Sequence, residues 1–343
     1  MNVAVLFGGI STERNVSLVG GKAVYEALRL NGHNVIPIDP VFGNDKERNA
    51  EKLLLTDLNS NIANFITAEE LATFNPRNYM ECVNSELFDN IDCAFIVLHG
   101  TFGEDGIIQS LLDLRGIKYT GSSARASAVA MDKAISKSLF SANGLLTPAW
   151  EQININDAND EFFLEDIKKT FGKKLVIKPN DQGSTVGLTI VEDGYIDTIS
   201  DAIKEASKYS KNILVERYIK GRELAVAILD DEALPIIEIV PKDGLYDYEH
   251  KYIKDKTNYF CPADIPDDIA EFTQNVALAA YKAIGCSCLG RVDFILDDEG
   301  QPFCLEINTI PGFTTSSLVP KAAKQVGLEF NDLCEELIKI AMK

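Results

Sequence analysis

Histidine is nearly absent: His33, His99 and His250 are the only three in 343 residues. A metal site built from several imidazoles is thereby strongly disfavoured. The seven cysteines, at positions 82, 93, 261, 286, 288, 304 and 334, are odd in number and lack paired C-x-x-C spacing. They argue against a disulfide framework or a zinc ribbon, and for reduced thiols in a cytosol. No uncharged stretch reaches the roughly 18 apolar residues of a membrane span. No basic segment precedes the first apolar run, so no signal peptide is expected. Cations are scarce as well: 33 Lys+Arg face 52 Asp+Glu, a formal net charge of -19. That balance disfavours nucleic acid or an anionic membrane as a bulk partner. Two phosphate-binding signatures are also missing. Gly21-Lys22 is followed by Ala23 where a Walker A loop needs Ser or Thr, and no G-x-G-x-x-G follows the first strand.

What remains is a chain of ordinary globular texture, 46% hydrophobic and 25% charged. Its length exceeds what one core usually supports, so two or three domains are expected. Asn2 to Phe7 reads as a buried parallel strand running into Gly8-Gly9. Helical periodicity follows over Val16 to Leu30, then a second strand over His33 to Ile38, which is the start of an α/β unit. Residues 41–90 are polar and weakly periodic, and read as an insertion with partial helix. Ile91 to Leu98 is a third buried strand, delivering His99-Gly100 to a loop at its carboxyl end, where open α/β sheets bind ligands. Beyond Gly121 the texture changes. Ala124 to Asn143 reads as one alanine-rich helix, and Leu175 to Lys178, Gly187 to Val191 and Ile213 to Glu216 as strands of a second unit. Glu223 to Leu229, Ala233 to Val240, Arg291 to Leu296 and Pro302 to Ile307 form a third, joined in part by hairpin turns at Asp230-Asp231-Glu232 and Asp297-Asp298-Glu299-Gly300. Pro320 to Met342 closes the chain as helix.

Among the candidate sites, Lys178 to Gly187 lies between two predicted strands. Its two glycines and its Ser184-Thr185 pair let backbone N–H groups and hydroxyls approach phosphate oxygens, with Lys178 as a point charge. A plain hairpin loop is the other reading. Arg291-Val292-Asp293-Phe294 and Glu306-Ile307-Asn308 make a stronger pattern. Period-two geometry puts Arg291 and Asp293 on one face, and Glu306 and Asn308 on one face of the partner strand. If the register aligns these faces, Asp293, Glu306 and Asn308 form an all-oxygen cluster suited to Mg²⁺, with Arg291 beside it to stabilise developing negative charge. The alternation of Phe303, Leu305 and Ile307 with these residues favours this reading over an all-polar hairpin face. His99 opens a glycine-rich loop running to Gly106, either as a substrate contact or as a structural residue. Tyr246 to Tyr252 is a surface loop or a lid that excludes water. Glu13 either favours a helix start or binds a substrate ammonium. Cys286 and Cys288 read as buried thiols.

Taken in order, these segments closely resemble the D-alanine–D-alanine ligases of the ATP-grasp superfamily. The resemblance is carried by Gly8-Gly9 through Glu13-Arg14 to Ser17-Leu18, His99-Gly100 to Gly106, Met131-Asp132-Lys133 and the Lys178 to Gly187 loop. Tyr246 to Tyr252, Arg291 to Phe294, Glu306-Ile307-Asn308-Thr309-Ile310-Pro311-Gly312 and Ser317-Leu318 complete it. Nearly the whole chain is covered, with 41–90 the exception.

The resemblance implies a mixed α/β and α+β chain with an ATP-grasp fold: a parallel α/β amino-terminal domain over 1–121, a central domain over 122–219 and a carboxyl-terminal domain over 220–343. ATP would lie between the last two. Lys133 and Lys178 would contact the α- and β-phosphates, covered by Gly183, Ser184 and Thr185. Glu216, Tyr218 and Ile219 match the adenine contacts, Glu223 the ribose ligand and Lys251 the γ-phosphate ligand. Asp293, Glu306 and Asn308 match the ligands of two Mg²⁺ or Mn²⁺ ions. Glu13 would hold the ammonium of a first D-alanine with His99 near its carboxylate, while Ser317 and Leu318 would hold the second substrate's carboxylate. Arg291 and the Gly312 N–H resemble the oxyanion hole. Ser184 and Tyr252 resemble the hydrogen-bonded partners of Glu13 that latch a lid over 241–257. A cytoplasmic homodimer making a peptidoglycan precursor is the implied setting, with neither nucleic acid nor membrane as partner. Two departures stand out: Ser316 replaces a frequent His, and Thr185 replaces a serine while keeping its hydroxyl. Tyr252 favours an amine over D-lactate as second substrate. D-serine addition, or a nucleotide-binding module without turnover, are the competing readings.

Overall fold

The computed structural model describes residues 1–49, 66–242 and 256–343. Three sheets organise them. The first is four-stranded and parallel, in the order β2 (Asn34–Ile38), β1 (Asn2–Leu6), β3 (Cys93–Ile96), β4 (Lys118–Tyr119). Its central strands are apolar because helices cover both faces. Val3, Val5 and Phe7 belong to one buried cluster; Ala4 and Leu6 belong to another.

The second sheet is antiparallel, in the order β5 (Trp150–Asn154), β8 (Asn212–Arg217), β6 (Leu175–Pro179), β7 (Thr189–Val191). Helices Glu161–Phe171 and Ile196–Ser207 bury Leu164, Ile167, Ile199 and Ile203 in its core. The third sheet runs β12 (Thr257–Phe260), β11 (Ile237–Pro241), β9 (Gly221–Leu229), β13 (Leu289–Asp297), β14 (Pro302–Asn308), with β10 (Glu232–Ala233) folded back on β9. It is antiparallel throughout. Helix Asp267–Ile284 packs on it through Ala277, Ala280 and Tyr281.

Several sequence expectations change, among them the strand expected over Ala233 to Val240, which is interrupted between β10 and β11. The single helix over 124–143 is two, Ala124–Met131 and Lys133–Ala142. Asp132 breaks it by taking an extended conformation, and its carboxylate then caps the second helix by accepting the Ile135 N–H at 3.0 Å. A capping aspartate competes with continued helix, and alanine propensity around it does not decide the outcome. The terminal helix is likewise two, Leu318–Gln325 and Phe330–Met342, parted at Gly327, whose φ is 82°. Glycine takes that left-handed turn without the steric cost of a Cβ. Strand β5 was not read from the sequence, because Glu151 and Gln152 give an exposed edge with little apolar content.

The last helix returns to the first unit. Phe330–Met342 packs against helix Arg14–Leu30, and Leu333, Cys334, Leu337 and Ile338 join Val24 and Leu28 in one cluster. Each such buried aliphatic side chain is worth about 1.5–3 kcal/mol.

Candidate active site

The turn after β1 is built by glycine and one buried ion pair. Gly8 and Gly9 have φ of 83° and 79°, and a Cβ on Gly8 would lie 2.3 Å from the Asp39 carboxylate. Asp39 is fully buried, meets Arg14 Nη2 at 2.5 Å and accepts the Gly9 N–H at 3.1 Å. Arg14 also donates to the Gly9 carbonyl at 2.9 Å. This knot fixes where helix Arg14–Leu30 begins, and so aims the preceding Glu13 at the cleft. Glu13 does not cap the helix with its side chain. Its carboxylate instead accepts from the Ser184 hydroxyl, 171 positions away.

Ser184 and Thr185 sit at the tip of the β6–β7 connection with φ of 50° and 63°. Non-glycine residues in that region cost about 1–3 kcal/mol each, a price met where neighbours over-determine the turn. Gly183 supplies the space: a Cβ there would lie 3.2 Å from Glu13 Oε2. Lys133 holds the same loop by donating to the Gln182 carbonyl at 2.7 Å, and it meets Glu306 Oε2 at 3.2 Å.

The β13–β14 register pairs Arg291 with Asn308 and Asp293 with Glu306, with a bulge just after Asp293. The expected faces therefore align. Arg291 is bidentate on Asp293, at 2.7 Å to each oxygen, and Asn308 Nδ2 donates to Asp293 Oδ2 at 3.0 Å. Two carboxylates and a carboxamide on adjacent strands offer only oxygen to a cation, which is the donor chemistry Mg²⁺ takes together with phosphate oxygens. Among the described residues no group of three or more His, Cys, Asp or Glu is placed to hold a metal ion.

Two cavities meet at Gly183 and Ser184. The larger, about 500 Å³, is lined by Lys133, Lys178, Gly183, Ser184, Thr185, Glu216, Tyr218, Ile219, Glu223, Asp293 and Glu306. The smaller, about 120 Å³, is lined by Glu13, His99, Ser184, Arg291, Asn308, Gly312, Ser317 and Leu318. The residues singled out in the sequence thus gather in two adjoining spaces, save Lys251 and Tyr252, which lie outside the described residues.

In the smaller cavity His99 Nδ1 pairs with the Ile310 carbonyl at 3.1 Å, while buried Nε2 has no partner among the described residues. Burial holds the imidazole below its ordinary basicity, against the pull of Glu13, so it is neutral near pH 7. Ser317 Oγ accepts the Thr314 N–H at 3.0 Å, which orders the turn before helix Leu318–Gln325.

Two residues were missed. Glu104 lines the smaller cavity and accepts the N–H groups of Gly100, at 2.8 Å, and Ile310. Burial, then the nearby Glu13 charge, pushes its carboxyl up to about 8. Its place in the glycine-rich loop opened by His99 was the available signal. Lys137 is fully buried and pairs with Glu216 Oε1 at 2.7 Å; Lys178 takes Glu216 Oε2 at 2.8 Å. Its spacing of four from Lys133 puts both on one helix face.

Two antiparallel sheets with lysines and a glycine-bearing turn lining the cleft between them, fronted by a parallel α/β unit, define an ATP-grasp ligase fold. Residues 2–122 match the family described as D-ala D-ala ligase N-terminus, and residues 139–339 match D-ala D-ala ligase C-terminus. The chain belongs to the D-alanine–D-alanine ligase family. It is 41% identical over 343 residues to the D-alanine–D-alanine ligase of Bordetella petrii, covering 99% of this chain and 91% of that one. The D-alanine–D-alanine ligase from Bacillus anthracis complexed with ATP superposes with a TM-score of 0.76 at 31% identity, covering 100% and 97% of the two chains. The VanG D-Ala:D-Ser ligase from Enterococcus faecalis has the same TM-score at 30% identity, covering 99% of each.

Proposed function

We propose that the protein uses ATP to join two D-alanine molecules into D-alanyl-D-alanine for peptidoglycan synthesis, releasing ADP and phosphate. The observation that carries this reading is the shared wall at Ser184. One cavity offers lysines and a glycine turn to a triphosphate, the other offers Glu13 to an ammonium, and Ser184 belongs to both.

In this reading the base rests against Glu216, Tyr218 and Ile219, and the ribose against Glu223. Lys133 and Lys178 neutralise the phosphates under Gly183, Ser184 and Thr185, with Lys251 reaching the γ-phosphate. Glu13 holds the ammonium of the first D-alanine and His99 lies near its carboxylate. A carboxylate oxygen attacks the γ-phosphorus as the bond to ADP breaks, giving an acylphosphate. The second D-alanine, its carboxylate held by Ser317 Oγ and the Leu318 N–H, attacks the carbonyl carbon through its amine, which gives up a proton as the amide forms. Arg291 and the Gly312 N–H meet the oxyanion, and collapse expels phosphate. Asp293, Glu306 and Asn308 would hold two Mg²⁺ or Mn²⁺ ions, whose chemistry is to neutralise phosphoryl oxygens. Tyr252 lies outside the described residues; the family resemblance assigns it to a lid that would keep water from the acylphosphate. The setting is a cytoplasmic homodimer without nucleic acid or membrane partners. The net charge of -19 disfavours nucleic acid as a bulk partner, and among the described residues no helix is long and apolar enough to cross a membrane.

The test is phosphate release with ATP and Mg²⁺ across D-alanine, D-serine and D-lactate, with products weighed by mass spectrometry. D-Alanyl-D-alanine as the main product is expected; no D-alanine-dependent phosphate release would overturn the proposal.

A further inference from the structure

Beneath the larger cavity lies a buried charge cluster in which only one of two cations can reach a ligand. Lys137, one turn after Lys133 on helix Lys133–Ala142, is fully buried and is not part of the cavity wall. Its ammonium meets Glu216 Oε1 at 2.7 Å and donates to Thr147 Oγ1, also at 2.7 Å. Thr147 in turn donates to the Cys304 carbonyl at 2.8 Å, anchoring this arm to β14. Lys178, which does line the cavity, takes the other oxygen of Glu216 at 2.8 Å. Glu216 itself lines the cavity and is 3% exposed.

We infer that Lys137 is a positioning residue that fixes Glu216 as a permanently charged acceptor and thereby sets which nucleobase the cavity takes. The inference rests on the nucleotide reading above. Burial lowers the basicity of Lys137 against the pull of Glu216; with both amines protonated the two lysines outnumber the one carboxylate, and Lys178 is the cation placed to meet a phosphate oxygen. When Lys178 does so, Oε2 loses its partner while Lys137 keeps Oε1 in place. An ionised carboxylate accepts hydrogen bonds and donates none. Held against the base, it accepts from a 6-amino edge and repels a 6-oxo edge. A missing donor-acceptor match in a buried site costs far more than a missing apolar contact. Lys137 therefore governs selectivity without touching the base. Burial alone would raise the Glu216 carboxyl, but the two ammonium groups outweigh it and hold it below the ordinary range, consistent with this role.

The test measures binding of ATP and of inosine triphosphate, which carries a 6-oxo group, by calorimetry without any amino acid present. It compares the wild type with K137M, E216Q and K137M/E216Q. The wild type should favour ATP. Loss of one charge-assisted contact predicts K137M to bind ATP about tenfold more weakly, with the ATP preference narrowed. In the E216Q background, K137M should change the preference no further. Should K137M fail to fold, folding of the double variant would still support a counter-ion role, since the uncompensated carboxylate is then gone. Equal loss for both nucleotides in K137M, equal wild-type affinity for both, or a double variant unfolded where E216Q folds, would each overturn the inference. Binding is read without turnover, so an absence of dipeptide synthesis would count against the ligase reading alone.

Discussion

The Ser184 hydroxyl donates to the Glu13 carboxylate, joining the helix start of the first sheet to the turn of the second. Glu13 is thereby oriented by a residue that also belongs to the wall of the larger cavity. Replacing Ser184 with alanine should lower kcat/KM for D-alanine by about 10- to 100-fold, the scale of a hydrogen bond to a charged group. Steady-state kinetics would check this, and a change below twofold would remove Ser184 from substrate positioning.

Asp293 carries the cross-strand pairing with Glu306 and both forks of Arg291. Asp293→Asn keeps the shape and removes the charge. We expect turnover to fall by about a hundredfold or more with the circular dichroism spectrum unchanged. Binding of Mn²⁺, followed by electron paramagnetic resonance in the presence of ATP, should weaken in parallel. Unimpaired Mn²⁺ binding would sink the metal assignment.

Asp39 and Arg14 form a buried pair at 2.5 Å around which the first glycine turn is folded. Removing one member strands the other charge, so Asp39→Ala should cost about 3–5 kcal/mol in urea unfolding. Activity should drop with it, because Glu13 directly precedes Arg14.

Glu104 leaves a signature in the pH dependence of stability. Its carboxyl titrates near 8 in the folded chain against 4.5 ordinarily, so between those values the folded state keeps a proton the unfolded chain has released. That contribution is fully present below about 4.5 and is lost as pH rises through 8. Glu104→Gln should flatten the fall in Tm between pH 5 and pH 8 by a few °C, roughly. His99 works in the opposite sense: its lowered basicity removes stability as pH falls below the ordinary histidine range. An identical slope in wild type and Glu104→Gln would reject the assignment.

Local pattern carried much of this site. The alternation put Arg291 with Asp293 on one strand face and Glu306 with Asn308 on another, and the register brings these faces together. Apolar runs located β1 and β3 because parallel strands are buried on both faces. What escaped was set by single polar side chains acting at a distance. Asp132 breaks a helix that its neighbours favour, partly because Asn180 Nδ2 donates to it from another element at 2.8 Å. Lys137 carries no local signal, since its partners Glu216, 79 positions on, and Thr147 belong to other elements. Glu104 sat inside a segment already noticed, yet its proton affinity depends on how closely Glu13 approaches it. The lid expected around Tyr252 lies outside the described residues.

The packing of Phe330–Met342 on Arg14–Leu30 bears on synthesis in the cell. A ribosome delivers β1 first, yet the cluster that holds Val24 and Leu28 gains Leu333 and Leu337 only when they follow, more than 300 residues later. The nascent amino-terminal sheet must therefore wait with one greasy flank uncovered.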